Sequence, residues 1–427
     1  MIGGLLKRGS VLAIAASASI FSTNAMAADL GGDCCADLEE RVAELEATTA
    51  RKGNRKVSLT VSGWVNEEVL FWDDGVETNT YQVTNMVAQT RFRLVGSAKI
   101  TEDWSAGYII ELGVAGSRSD GVTESTDDNG SGIGVRHSAW YLKSKRLGKM
   151  TVGQFSTATD GLLDAHVAGI GHFMSENSAA MIGSFQMRTA GGGFGPQLRN
   201  LMGGNSTDSG QIGEGNRMNV VRYDSPALAG FTLSASWGED DQWDVALRYA
   251  GEFNGVKLAM NVGYQEWRDG NNSERNCQRF TASDRDQNCS QFGIFGGLLH
   301  APTGLFVEAG YGIRWDDNVP TGFDDTSEQW FIIAGIERKF FPLGKTAIFG
   351  GYQDWNVGLS PAGVGAAVPF SSANLQAWSI GINQNIEAAA MDLYLLYRNY
   401  DGDSTDGRRE TEYENFHQLS AGGIIRF

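Results

Sequence analysis

The chain lacks what a helical membrane protein requires. After its N-terminal region, the chain of 427 residues contains no run of about 18 consecutive apolar residues, which excludes spanning helices. Proline is scarce, with 7 residues, whereas glycine is abundant, with 56, and this balance favours strands and tight turns over helices. The formal charge of −17 argues against nucleic acid as a partner.

Enzyme signatures are also missing. No G-x-S-x-G or H-E-x-x-H motif occurs, and the five histidines show no ligand spacing. His166 and His172 lie near Asp164, but no nucleophile accompanies them, so packing within a loop explains them better than catalysis. We therefore predict neither an enzyme nor a bound metal or cofactor.

The N-terminus has the pattern of an export signal. Lys7 and Arg8 precede the apolar run Val11–Phe21, and the small residues Ala25-Met26-Ala27 follow it. The run is shorter than the roughly 20 residues of a spanning helix, which disfavours a membrane anchor. We predict that residues 1–27 are removed and that the mature chain begins at Ala28.

The chain has four cysteines, an even number in a protein routed to an oxidising compartment. Cys277 and Cys289 share one polar stretch, so we predict that a disulfide closes that loop. Cys34 and Cys35 are adjacent, and both a vicinal bridge and bridges between subunits remain open for them.

Residues 28–56 are predicted to form a periplasmic segment with one short amphipathic helix. Leu38, Val42, Leu45 and Thr49 recur at spacings of four and three, with charged residues between them. The pattern spans fewer than two heptads, too few for a stable isolated helix. It fits either a short coiled coil between subunits or a single docked helix.

From Val57 onward the period of apolar residues changes to two, which predicts amphipathic strands up to the terminal Phe427. An even count near sixteen suits an antiparallel transmembrane β-barrel over 57–427 with an aqueous lumen. A soluble multi-strand protein would need a second sheet to cover the apolar faces. The predicted strands lie near 57–71, 87–100, 103–115, 134–145, 149–155, 216–225, 231–238, 242–251, 256–267, 291–300, 304–315, 329–340, 345–356, 375–386, 390–400 and 415–427.

The connections alternate between short and long, as expected when short turns lie on one rim and long loops on the other. Residues 146–148 and 301–303 are short joins, whereas 116–133, 268–290 and 401–414 are long and polar. Residues 156–215 break this pattern with a much longer glycine-rich segment. Its mixture of small, apolar and charged residues predicts a loop folded against protein, and it carries Asp160, Asp164 and Glu176.

Strand parity places basic side chains inside the predicted barrel. If Phe92 and Leu94 face lipid, then Arg91 and Arg93 face the lumen, and the same argument places Arg222 inside. The parity of Arg136 is less clear. These arginines either line the pore or pair with lumen acids such as Glu111 and Glu308 to hold the barrel together.

Several stretches resemble one family, the porins of alphaproteobacterial outer membranes. They are GDCCADLEERVAELEATTARKGNRKVSLTVSGWV following Gly31, WYLKS with GKMTVGQFST between Trp140 and Thr157, NVVRYDSPALAGFTLSASWG from Asn219, and the terminal IIRF. The resemblance covers nearly the whole mature chain. Ala421 and Gly423 depart from it, because larger outward residues are common in such barrels.

The resemblance implies a homotrimer in the outer membrane, surrounded by lipid and lipopolysaccharide, that passes small hydrophilic solutes and ions passively. The third loop, 156–215, would bend into the lumen and set its narrowest point, with loop acids facing basic residues of the wall. The predicted constriction residues are therefore Arg91, Arg93, Arg136, Arg222, Glu111, Asp160, Asp164 and Glu176. A solute-specific channel is the alternative.

The predicted mature start, Ala28-Asp29, suggests one further role. Some barrel proteins resembling this one are joined to peptidoglycan through an N-terminal Ala-Asp, so Ala28 is a candidate attachment residue. The same dipeptide is also what signal cleavage alone would leave.

Overall fold

The fold is seen in a computed structural model that describes residues 56–175, 179–204, 211–239, 241–270, 287–317, 319, 321, 323–358, 370–407 and 409–427. The predicted signal peptide lies outside the described residues. So do Ala28 and the coiled-coil positions Leu38, Val42 and Leu45. These features of the N-terminal segment therefore stay predictions.

Sixteen antiparallel strands form a closed wall, which confirms the predicted barrel and its strand count. Each strand contacts its neighbours along the chain, as period-two amphipathic segments joined by turns are expected to do. The wall strands are β1 (Ser58–Asp73), β3 (Arg91–Lys99), β4 (Trp104–Ala115), β5 (Gly132–Ser144), β6 (Gly148–Ser156), β9 (Arg217–Asp224), β10 (Phe231–Gly238), β11 (Trp243–Phe253), β12 (Val256–Gly270), β13 (Gln287–His300), β14 (Leu305–Asp316), β15 (Thr326–Phe341), β16 (Gly344–Val357), β17 (Ser372–Ile386), β18 (Met391–Asp406) and β20 (Phe416–Arg426).

Four shorter strands were not predicted: β2 (Thr78–Thr84), β7 (Gln186–Thr189), β8 (Phe194–Gln197) and β19 (Arg409–Glu414). Residues 401–414, expected to form a loop, instead extend β18 and continue as β19, because the two strands keep pairing beyond the wall. Within the described ranges the helices are single turns, α1 (Ala179–Ile182) and α2 (Leu198–Leu201), with a 3₁₀ turn at Glu387–Ala389. Among the described residues, no helix has the length and apolar character to span a bilayer.

The last strand closes the barrel against the first. Strand β20 pairs with β1 from Trp64↔Arg426 to Asp73↔His417, and Gly63 exchanges two backbone hydrogen bonds with Phe427, at 3.0 and 3.1 Å. A Cβ on Gly63 would lie 2.3 Å from the Arg91 carbonyl oxygen, so only glycine fits there. Closure leaves the wall without an unpaired edge in hydrocarbon.

The two faces of the wall differ as the alternation predicts. On β1, Val65 and Val69 point outward and are exposed, whereas Asn66, Glu68 and Leu70 point inward and are buried. The outward side chains form the apolar surface that meets the bilayer.

The segment between β6 and β9, residues 157–216, is called L3 below, and its described residues, 157–175, 179–204 and 211–216, lie inside the barrel. It packs on inward aromatic side chains of the wall, where Phe173 stacks on Tyr394 with ring centroids 4.5 Å apart. Phe185 likewise contacts Trp72 and Phe416, at 5.1 and 5.2 Å. The prediction of a loop folded against protein is therefore confirmed.

The inner face of one part of the wall is largely apolar. Strands β13 to β20 turn large apolar side chains inward, because L3 covers them and removes them from water. These side chains are Phe295, Phe306, Phe331, Ile333, Phe349, Leu375, Tyr394, Leu396, Tyr400 and Phe416.

Candidate functional site: the lumen and its constriction

Inward polar side chains bind the backbone of L3 on strand after strand. Asp244 of β11 accepts hydrogen bonds from the backbone N–H and the hydroxyl of Thr159, both at 2.7 Å. Glu308 of β14 accepts from the N–H of Val167 at 2.6 Å. Further contacts of this kind join Asn261 to Leu162, Glu337 to Gly169, Gln329 to Ile212, Arg314 to Gly203 and Asn66 to His172.

These contacts define two parts of the inner wall. The covered arc is the inner face of β10 to β20 and of β1, where aromatic and polar side chains hold L3. The charged arc is the inner face of β3, β4, β5, β6 and β9, with Arg248 of β11 at its edge. Buried backbone groups of L3 obtain partners from the covered arc, which fixes the loop in one position.

The middle of L3 also contacts the outer loops. Arg188 of β7 donates to the buried Asp74 at 2.6 Å, and β7 pairs with β19 at Thr189↔Tyr413. The carboxylate of Glu124 accepts from the N–H of Gln186 at 2.5 Å. L3 is thus held both by the wall and by the outer loops that connect the wall strands.

On the charged arc, three arginines surround one carboxylate. Glu111 of β4 is fully buried, and its oxygens lie 3.3 Å from Nη1 of Arg91, 2.5 Å from Nε of Arg93 and 2.9 Å from Nε of Arg136. Arg91 also lies over the ring of Trp64, 4.5 Å from its centroid. One carboxylate cannot neutralise three guanidinium groups, so the cluster keeps an excess of positive charge.

A second basic group follows along the wall. Arg222 of β9 donates to Asp224 at 2.8 and 2.9 Å, and Lys149 lies 3.4 Å from the same carboxylate. Arg248 of β11 donates to the carbonyl oxygen of Asp160 at 3.2 Å. Basic side chains again outnumber carboxylates here.

The sign of the charge on the charged arc is thus opposite to that of the whole chain. Its cations stand against few carboxylates, whereas the formal charge of the chain is −17. Many of the acids lie on the outer loops, where exposed carboxylates occur at Asp127, Asp128, Asp317, Asp324, Asp325, Asp406, Glu410, Glu412 and Glu414.

The structure brings several predicted site residues together. One cluster contains Arg91, Arg93, Arg136 and Glu111. Their pairing agrees with the alternative prediction that these arginines bind a lumen acid and hold the barrel together. Glu308, the other acid considered for pairing, instead binds L3. Arg222 lies in the second basic group.

The predicted loop acids take separate positions. Asp160 lies 3.6 Å from Arg217, so it forms an ion pair with the wall and does not face it across open water. Asp164 lies 3.0 Å from Nε2 of His166. Glu176 is outside the described residues, and its place in the constriction stays a prediction.

His166 joins L3 to the wall through charge. Its Nδ1 lies 2.6 Å from Glu308, and its Nε2 contacts Asp164. Burial lowers the pKa of His166, but the two carboxylates outweigh it and hold that pKa well above its usual value. The imidazolium therefore persists at neutral pH and offsets part of the negative charge of L3.

Sequence reasoning missed Lys149, Arg217 and Arg248 as lumen residues. Arg248 shares the polar parity of β11 with Asp244, so alternation could have found it. Arg217 begins β9, and its contact with Asp160 depends on the path of L3, which no local pattern reveals.

Cys289 lies at the loop end of β13, where it is buried beside Trp267 and forms a disulfide. Cys277 is outside the described residues. The pairing of these two cysteines therefore stays a prediction.

A sequence profile of Gram-negative porins matches residues 11–423. The chain belongs to the Gram-negative porin family. Family membership, with the closed barrel, identifies a passive multi-pass channel of the outer membrane rather than an enzyme.

Solved porin structures have the same fold. The anion-selective porin from Comamonas acidovorans is 13% identical, with a TM-score of 0.57 over 87% of this chain and 100% of that chain. The trimer form of OmpT from Vibrio cholerae is 13% identical, with a TM-score of 0.52 over 87% and 99%. OmpF of Salmonella typhi, in complex with daunomycin, is 12% identical, with a TM-score of 0.51 over 88% and 99%. A search of curated protein sequences finds no significant match to this porin.

Proposed function

We propose that this porin is a general diffusion channel with a preference for small anions and anionic hydrophilic solutes. The observation that carries the proposal is the excess of cations on the charged arc. The basic side chains Arg91, Arg93, Arg136, Lys149, Arg217, Arg222 and Arg248 stand against Glu111, Asp160, Asp224 and Asp244.

Local charge at the lumen wall, and not the total charge of the chain, sets the ion preference of the pore. The Debye length is about 8 Å at physiological ionic strength, so exposed loop acids are screened from a solute within the lumen. Guanidinium groups on the wall of a narrow pore, with low-dielectric protein behind them, act on a passing solute at contact distance. They attract anions and repel cations where the path is narrowest.

The descriptions of two proteins with the same fold support parts of the proposal. One is described as an anion-selective porin and another as a trimer form, and both share the fold. We propose that this porin is likewise a homotrimer. The motifs between Trp140 and Thr157 and from Asn219 support an alphaproteobacterial type of porin.

The test is the reversal potential of purified channels in a planar bilayer under a potassium chloride gradient. We expect a sign that shows chloride preference, and R91Q/R93Q together should shift the potential toward cation preference. K339Q is the matched control, because Lys339 lies on the periplasmic side and pairs with Glu387 at 3.0 Å. A cation-selective parent channel, or unchanged potentials in the double variant, would contradict the proposal.

A solute-specific anion channel is the second candidate, and one observation favours it. Nη1 of Arg248 is buried and has no hydrogen-bond partner among the described residues, and the cation of Arg222 is close by. Such a pair could hold one anionic group of a solute. Block of the ionic current by one solute at saturating concentration would establish this channel type, whereas a linear rise of flux with concentration supports general diffusion.

The role of Ala28 is tested independently of the channel. Digestion of purified peptidoglycan should release a muropeptide linked to Ala28 if the porin is also an envelope tether. An unmodified N-terminus throughout would restrict the protein to its channel function.

A further inference from the structure

The outer surface of β15 to β18 carries a continuous apolar row close to the periplasmic rim. Ile336, Ile348, Ile382 and Leu395 are register neighbours on these four adjacent strands. The last three of them are exposed on the outside of the wall. Outward aliphatic side chains that lie side by side across several strands form a surface for the acyl chains of lipid.

Two residues closer to the periplasm, the same surface becomes polar. Arg338, Thr346 and Gln384 are the next outward residues on β15, β16 and β17, and they are again register neighbours. Two residues advance a strand by about 6.6 Å, so this polar row lies directly beneath the apolar one. A basic side chain at the edge of the acyl layer extends toward water and reaches the phosphate groups of the lipid.

Arg338 differs from the neighbouring cations because it has no acidic partner. Lys339 pairs with Glu387 at 3.0 Å, and Lys345 pairs with Glu337 at 2.7 Å. Among the described residues, no carboxylate lies within ion-pair distance of Arg338. Its positive charge is therefore available to an anion from outside the protein.

The turn that follows Arg338 is apolar although it lies at the rim. Phe340, Phe341 and Leu343 are all about half exposed, at 49%, 57% and 55%. Aromatic side chains beside cations are typical of the boundary between lipid and water. The next turn leaves room for the arginine, because a Cβ on Gly304 would overlap with Cγ of Arg338. The stem of Arg338 thus packs against the wall beside an apolar turn.

We propose that Arg338 and the apolar turn 340–343 bind an anionic phospholipid of the periplasmic leaflet. The acyl chains cover the isoleucine row, and the guanidinium donates two hydrogen bonds to the phosphate. A zwitterionic lipid offers the same phosphate together with an ammonium group that Arg338 repels, so the site favours a headgroup with net negative charge. This inference is independent of the ion preference proposed for the pore.

The experiment compares two brominated lipids as quenchers of a probe beside Arg338. I348C is labelled with bimane in vesicles that contain brominated phosphatidylglycerol or brominated phosphatidylcholine at the same mole fraction, and the unmodified chain measures background labelling. L247C is the control, since Ile348 and Leu247 have similar exposure, 43% and 40%, and Leu247 has the apolar strand neighbours Leu233 and Val262. We expect phosphatidylglycerol to be enriched about fivefold at I348C, and both lipids to quench L247C equally.

Two charge variants distinguish a specific contact from general attraction. R338Q and K339Q each remove one positive charge from the same rim, but only R338Q removes the proposed donor. In the I348C background, R338Q should bring quenching by the two lipids to the same level, whereas K339Q should preserve most of the difference. R338K should retain part of the preference, because lysine keeps the charge and loses the two-point contact. Heat-modifiable mobility on gels checks that each barrel is folded.

Three results would overturn the proposal. The first is equal quenching of I348C by the two lipids when Arg338 is present. The second is an equal loss of preference in R338Q and K339Q, because the net charge of the rim would then explain it. The third concerns peptidoglycan, the competing anionic ligand on this side of the membrane. If R338Q reduces cosedimentation with purified sacculi while the two lipids quench equally, Arg338 binds peptidoglycan instead of lipid.

Discussion

The covered arc and the charged arc belong to one barrel and obey one alternation, yet their inward side chains differ in kind. On the covered arc, Tyr394 and Phe416 are buried under L3, and acids such as Asp244 and Glu308 bind its backbone. On the charged arc, the inward side chains are instead arginines that surround Glu111. The difference shows that a lumen face is either covered by protein or occupied by charge, and that L3 decides which.

Removing an aromatic contact between L3 and the wall should have the largest effect on stability. F173A deletes the ring stacked on Tyr394 and should destabilise the barrel by about 3 to 5 kcal/mol, because it leaves a cavity in a buried cluster. The free energy of unfolding in urea, measured on refolded protein in detergent micelles, checks this. F253A is the matched control, since Phe253 lies at the end of β11 and is 77% exposed. Equal effects of the two variants would remove the distinction between the covered arc and the lipid-facing surface.

Neutralising Glu111 on the charged arc should destabilise the protein somewhat less than F173A does. E111Q leaves Arg91, Arg93 and Arg136 without a counter-ion, and we expect a cost of about 3 kcal/mol, at the lower end for a buried pair because Arg93 and Arg136 keep partial exposure. The same variant should increase anion preference. Urea unfolding and reversal potentials provide the two measurements, and a shift toward cation preference would contradict the assignment of the cluster to the pore.

The contact between His166 and Glu308 should make stability depend on pH. The pKa of His166 is raised in the folded protein, so its contribution is fully present below the ordinary imidazole pKa and is lost as pH rises through the raised value. A loss of about 1.4 kcal/mol is expected for each unit by which the pKa is raised.

Urea unfolding of the parent and of H166N, compared from neutral to alkaline pH, tests this dependence. The parent should lose stability as pH rises, and H166N should lose less over the same interval. Parallel curves for the two proteins would show that His166 does not titrate in this range.

The smallest effect is expected from the edge of the charged arc. R248Q removes one cation of the second basic group, so its reversal potential should move toward cation preference by less than that of R91Q/R93Q. Urea unfolding should change little, since Arg248 donates only one hydrogen bond to L3 among the described contacts. A larger shift than in the double variant would place the narrowest point at Arg248.

Much of the barrel follows from local pattern. The sixteen wall strands are predictable because period-two alternation must place apolar side chains toward lipid, and the inward parity of Arg91, Arg93 and Arg222 follows with it. The extra strands β2, β7, β8 and β19 are not predictable in this way, because they are not among the sixteen wall strands and no lipid contact enforces alternation in them. Strands with apolar residues of both parities, such as Phe331-Ile332-Ile333, did carry a signal that protein covers their inner face.

The sequence by itself determined the wall: its strand number, its closure through Phe427 and the sign of the side chains turned inward at Arg91 and Arg93. Only the tertiary structure decided the constriction, since the path of L3 depends on contacts between residues far apart in the chain, such as Asn66 with His172 and Asn383 with Gly169. A repeating environment such as the bilayer leaves a periodic trace in the sequence. A loop held by one particular set of partners leaves no such trace, because each partner is set by the folded geometry alone.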